Sequence, residues 1–156
     1  MLHVPPTMPS SKTSRWRQRR DPLWRGDSAA GLARPSPRAD PSIVRHVLYL
    51  DGAGRETPYH STSEDRDMAA HFAGGPGGRV YETSVGKAQA AGVRHVSRLE
   101  LLGMLQGKGK GDARWPSAYE VMTARRYVEQ WSEHLLSYGD LPDGADIDAI
   151  LRGLYT

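Results

Sequence analysis

Apolar positions in this chain come in short runs, and the first with a clear shape, Leu23-Trp24-Arg25-Gly26-Asp27, predicts a short strand that ends at glycine. Residues 28–42 carry Pro35, Pro37 and Pro41 without periodicity and are expected to form a loop with at most one helical turn. His46 to Leu50 predicts a second short strand, built on the apolar Val47-Leu48-Tyr49-Leu50 and followed by a turn at Asp51-Gly52-Ala53-Gly54. Thr57 to Ser63 predicts a strand that runs straight into a helix. Ser63 is the expected N-cap, because a hydroxyl there can accept a bond from a free N–H of the first turn. Glu64, Asp65 and Asp67 place negative charge at the positive end of that helix, Met68 and Phe72 share one face, and Gly74-Gly75 ends it.

Residues 79–85 alternate in the manner of a strand with one polar face. Residues 97–106 carry a helical pattern capped by Ser97, and the alternating glycines of 107–112 predict a loop. Order resumes at Tyr119-Glu120-Val121-Met122. Beyond it, Tyr127, Trp131 and Leu135 fit helical spacing, whereas Tyr127, Glu129 and Trp131 fit one strand face, so residues 123–138 stay open between the two. The segment 140–147 predicts a turn leading into a short helix or a terminal strand.

Composition narrows the class. Hydrophobic residues make up 38% of the chain, with 17 glycines and 11 prolines, so one domain with substantial loop or tail is expected. Residues 1–21, rich in Pro, Ser and Arg, are expected to be a flexible basic leader, and 22–156 the folded domain. The absence of cysteine excludes disulfides and thiolate chemistry. No apolar run approaches the roughly 20 residues of a membrane span, and the N-terminus lacks the apolar stretch of a signal peptide, so a soluble protein is expected.

The formal charge of +3 is uneven, with Lys12, Arg15, Arg17, Arg19 and Arg20 crowded around Trp16. Such a run can meet nucleic acid or an acidic partner, although a solvated tail is its commoner use. The histidines show no HExxH or other metal spacing, no GxGxxG opens a helix after a strand, and Gly107-Lys108-Gly109-Lys110-Gly111 lacks the P-loop spacing.

Three chemical items remain, in order: Arg25 on an early strand, Ser61-Thr62-Ser63 where a strand meets a helix, and Glu120 after the glycine-rich loop. Together Leu23-Trp24-Arg25-Gly26-Asp27-Ser28, Tyr59-His60-Ser61-Thr62-Ser63 and Tyr119-Glu120 resemble the arginine–serine–glutamate branch of the ADP-ribosyltransferases, which includes cholera-like toxins and bacterial effector domains. The resemblance implies an α+β fold with two small, mostly antiparallel sheets and flanking helices around an NAD cleft. It implies mono-ADP-ribosyl transfer from NAD to a protein or nucleic-acid acceptor in the cytoplasm of the producing or target cell. An immunity protein would be a natural partner for such a toxin.

The chemistry suits the residues. A guanidinium fork such as Arg25 matches phosphate oxygens. The hydroxyls of Ser61 and Ser63, with Thr62 between them, can bond a ribose or orient a carboxylate. Departure of nicotinamide leaves an oxocarbenium-like ribose, which the Glu120 carboxylate would stabilise with Ser61 orienting it. By resemblance, the backbone of Gly26, beside Asp27, holds the nicotinamide amide, and Tyr81 covers its ring. Lys108, Lys110, Arg114 and Trp115 form the expected acceptor loop. Ala118 departs from the pattern, because members that modify arginine carry a second glutamate two residues before the catalytic one, and others carry glutamine. The departure gives weight to NAD glycohydrolysis, in which water is the acceptor, and leaves Glu129 and Glu82 as alternate carboxylates. A non-catalytic nucleic-acid-binding module built on the basic leader and loop is the reading from a second class.

Overall fold

The computed structural model describes residues 15–49, 56–106 and 115–156. It is an α+β fold with, among the described residues, five strands and six helices: β1 Leu23–Asp27, α1 Ile43–Leu48, β2 Tyr59–Ser63, α2 Arg66–Ala73, β3 Arg79–Thr83, α3 Val85–Ala90, β4 Arg94–Val96, α4 Arg98–Met104, α5 Ala118–Trp131, β5 Glu133–Ser137 and α6 Ile147–Leu154. None of these helices is long and apolar enough to cross a membrane.

Instead of two separate sheets, the strands form one sheet in the order β3-β1-β2-β5-β4, and every neighbouring pair is antiparallel. The sheet is nonetheless nearly divided. β1 pairs with β3 over five residues and β2 with β5 over five, while β1 and β2 meet at the single pair Trp24↔Ser63. The two strands that carry the arginine and the serines therefore diverge.

Side-chain alternation on β5 explains why this strand is buried on both faces. Leu135 joins a core with Val44 and Val47 of α1, Leu101 of α4 and Val121 and Val128 of α5. Leu136 faces the other way, toward Leu23, Val85 of α3 and Leu151 and Leu154 of α6. Both cores depend on local signals. Ser97 and Glu100 close a capping box on α4, and on α6 the stripe Ile147, Leu151, Leu154 follows the cap Asp146.

Several local expectations change. The second apolar run is helical, not a strand: Ser42 accepts a bond from the Arg45 amide, and Ile43, Val44, Val47 and Leu48 fall on one buried helix face. Leu50 and the 51–54 turn lie outside the described residues. Ser63 remains in β2, where its hydroxyl donates to the Trp131 carbonyl and accepts from the Asp65 amide; the N-cap of α2 is Asp65. The open segment 123–138 is helix and then strand, turned by Ser132 in the left-handed region at φ 48°. α3 and β4 complete the connection between β3 and α4. In the described part of the leader, Trp16 rests on the His134 ring at 4.5 Å and its indole N–H donates to the Pro22 carbonyl.

Candidate active site

Where β1 and β2 diverge, a cavity of about 240 Å³ opens, walled by residues 24–28, by Ser61, Thr62 and Ser63, and by side chains of α1, α2, α5 and β5. One wall exists because position 26 lacks a side chain. A Cβ on Gly26 would stand 1.8 Å from the Ala69 carbonyl oxygen, so glycine is what lets α2 lie directly across β1.

Arg25 is buried in this wall and fully engaged. Its Nε and one terminal nitrogen grip Asp27 at 2.8 and 3.0 Å, and the other terminal nitrogen donates to the Ser61 carbonyl at 3.0 Å. Burial is the largest influence and opposes its charge, but the Asp27 carboxylate, together with Tyr155 and Tyr138, outweighs it and holds the guanidinium pKa above the ordinary arginine value. Arg25 thus clasps the diverging strands together across the gap that their backbone pairing leaves.

Glu133 supplies the carboxylate in the cavity. It pairs with Ser63 across the β2–β5 ladder, is almost wholly buried, and shares the cavity with Arg25 and Ser61. Burial pushes its carboxyl up to about 7, against the pull of the Ser61 hydroxyl and the Arg25 charge. Neither carboxylate oxygen completes a hydrogen bond, although the Ser61 hydroxyl, whose oxygen lies 2.8 Å from His46 Nε2, is close enough to pull on the carboxyl. A buried acid without partners is costly, and sites that handle charge are where such groups are found.

His46, on α1, completes the arrangement. Its Nδ1 lies 2.7 Å from the Thr57 hydroxyl, and burial, followed by Arg25 and Arg45, lowers its pKa to about 3, so the ring is neutral. With its proton on Nε2, His46 donates to Ser61 and leaves the serine O–H free for Glu133 or a ligand. Phe72 and Trp131 meet edge-to-face at 5.0 Å and add an aromatic wall, and the Trp131 indole N–H is buried without an acceptor.

Of the residues expected from sequence, Arg25, Gly26, Asp27, Ser61, Thr62 and Ser63 come together here. Glu120 does not. It sits in the first turn of α5, where its carboxylate accepts from the Tyr49 hydroxyl and, at 2.7 Å, from the Trp115 indole. Tyr81 also stands apart, packing edge-on against Tyr155 with Arg79 over its ring. Trp115 is partly buried against the α1/α4/α5 core rather than displayed, and Lys108, Lys110 and Arg114 lie outside the described residues. The alternate carboxylates are no nearer: Glu82 is exposed on β3, and Glu129 is exposed beside Arg125 at 3.5 Å.

Sequence reasoning passed over Glu133 and His46. The available signal for the first was an acid two residues before the apolar pair Leu135-Leu136, with His134 between; for the second, a histidine within the apolar stripe of α1. Comparison with protein-family models, with curated proteins and with solved structures returns no match.

Proposed function

We propose that this chain is an NAD-cleaving domain of the arginine–serine–glutamate ADP-ribosyltransferase type, with Glu133 in the catalytic place first expected for Glu120. The observation that carries the reading is the partnerless Glu133 carboxylate in a cavity shared with Arg25 and Ser61. The nicotinamide–ribose end of NAD enters the cavity. As the bond to nicotinamide lengthens, positive charge grows on the ribose, and ionised Glu133 stabilises it in surroundings that screen charge poorly. Ser61, held by His46, orients that carboxylate. Arg25 acts as a positioning residue through Asp27 and the Ser61 carbonyl, and the nicotinamide ring meets Phe72 and Trp131 rather than Tyr81.

Transfer to a macromolecule and hydrolysis remain distinct outcomes. The residue two positions before Glu133 is Trp131, which has no carboxylate or amide to activate an acceptor, so this departure, like the one at Ala118, favours water or a self-activating acceptor. Incubation with NAD alone tests both points. Steady nicotinamide release identifies a glycohydrolase; release only after addition of cell lysate or RNA identifies a transferase. No release under either condition, from folded protein, contradicts NAD cleavage.

A further inference from the structure

With every guanidinium nitrogen of Arg25 committed to Asp27 or to the Ser61 carbonyl, the anionic part of a nucleotide needs another cation. The cavity, about 240 Å³, falls short of the ~300–1,000 Å³ that encloses a whole drug-sized ligand. A dinucleotide would place one end inside and carry its phosphates across the rim. On that rim stands Trp24, which lines the cavity, with the Arg66 guanidinium 5.6 Å from its ring centroid.

Arg66 opens α2, three residues before Ala69, which lines the cavity, so it stands one helical turn from the lining without itself being part of it. It is exposed and forms no ion pair among the described residues. Stacking uses only the face of the guanidinium and leaves its in-plane N–H edge open to phosphate oxygens. The neighbouring cations are less suited. Arg45 donates to the Glu56 carbonyl, and the ring beneath Arg79 is Tyr81, which does not line the cavity as Trp24 does.

We propose that Arg66, held against Trp24, is the anion-binding residue of this cavity and takes the diphosphate of a nucleotide whose glycosidic end enters it. The proposal rests on the NAD-cleaving reading and extends it to a residue outside the motif that suggested it. Glu82, the cross-strand partner of Trp24, and Asp65 and Asp67 on either side of Arg66 add negative charge that opposes any anion, so the contact relies on a ligand anchored in the cavity as well.

Calorimetric titration with ADP-ribose, which carries the diphosphate, and with nicotinamide, which does not, tests this on wild-type protein and on Arg66→Gln. Thermal unfolding serves as the folding check. The expected result is about tenfold weaker ADP-ribose binding by Arg66→Gln, the loss of one exposed charge-assisted contact, with nicotinamide binding unchanged. Equal ADP-ribose affinity in both proteins overturns the assignment of Arg66 and leaves the cavity reading standing. Wild-type protein that binds neither compound overturns both.

Discussion

Burial lifts the Glu133 carboxyl from 4.5 to about 7, so between those values the folded protein holds a proton that the unfolded chain has released. Stability from this group therefore falls as pH rises through that window, by up to about 3 kcal/mol at ~1.4 kcal/mol per unit. Glu133→Gln removes the ionisation, and denaturant unfolding at pH 8 should find the variant more stable than wild type, with the gap closing near pH 4. A variant less stable at pH 8 would mean that the carboxylate is held by partners after all. For the proposed NAD cleavage, the same titration predicts that kcat/KM rises with pH through about 7, because the ionised form would be the one to stabilise a ribosyl cation. Arg25 and Ser61 were legible in the sequence because they stand in short motifs that keep their residue types together. Glu133 was not, since nothing local distinguishes a buried acid from a solvated one until its strand is placed.

Strand placement failed at one residue. Ser132 turns α5 into β5 in the left-handed region without the glycine or asparagine that usually marks such a stop, so Trp131 and Leu135 looked like neighbours on a continuing helix. The opposite case is α2, which Gly74-Gly75 ends visibly and whose cap Gly74 has φ 74°. The α2–β1 contact also sets a strong expectation. Gly26→Ala drives a Cβ into the Ala69 carbonyl and the Ala73 amide, both backbone, so urea unfolding should show a loss of about 3 kcal/mol, the upper end of overpacking costs, or no folded protein. A change below roughly 1 kcal/mol would show that α2 does not rest on β1 this closely. On α5, Glu120 links the end of α1, through Tyr49, to Trp115, and Tyr49 and Trp115 stack at 6.3 Å. Glu120→Ala should cost about 1–2 kcal/mol in thermal unfolding by leaving two donors unpaired. Any effect on NAD turnover should track that stability loss.

Two half-sheets meet at one backbone pair, Trp24↔Ser63, and at the Arg25 bond to the Ser61 carbonyl, and the cavity exists because they part there. The α+β class was readable from short alternating runs, whereas a single sheet in place of two depends on a pairing between distant strands that periodicity does not encode. Buried and half-buried histidines add a global response to acid. His46, His60 and His95 all have pKa values lowered first by burial, to about 3 for His46 and about 4 for His95. The folded state therefore binds fewer protons than the unfolded chain below the ordinary value of 6.5, and stability should fall as pH drops from there toward 4, outweighing the opposite effect of Glu133. A thermal midpoint that rises over that interval would contradict neutral buried rings. Nicotinamide release from NAD by Glu133→Gln and Glu120→Gln, side by side with wild type, decides which carboxylate serves the proposed cleavage. Loss of at least about 100-fold in the first and near wild-type release in the second is the predicted result; full activity in Glu133→Gln, or its disappearance only in Glu120→Gln, would contradict it.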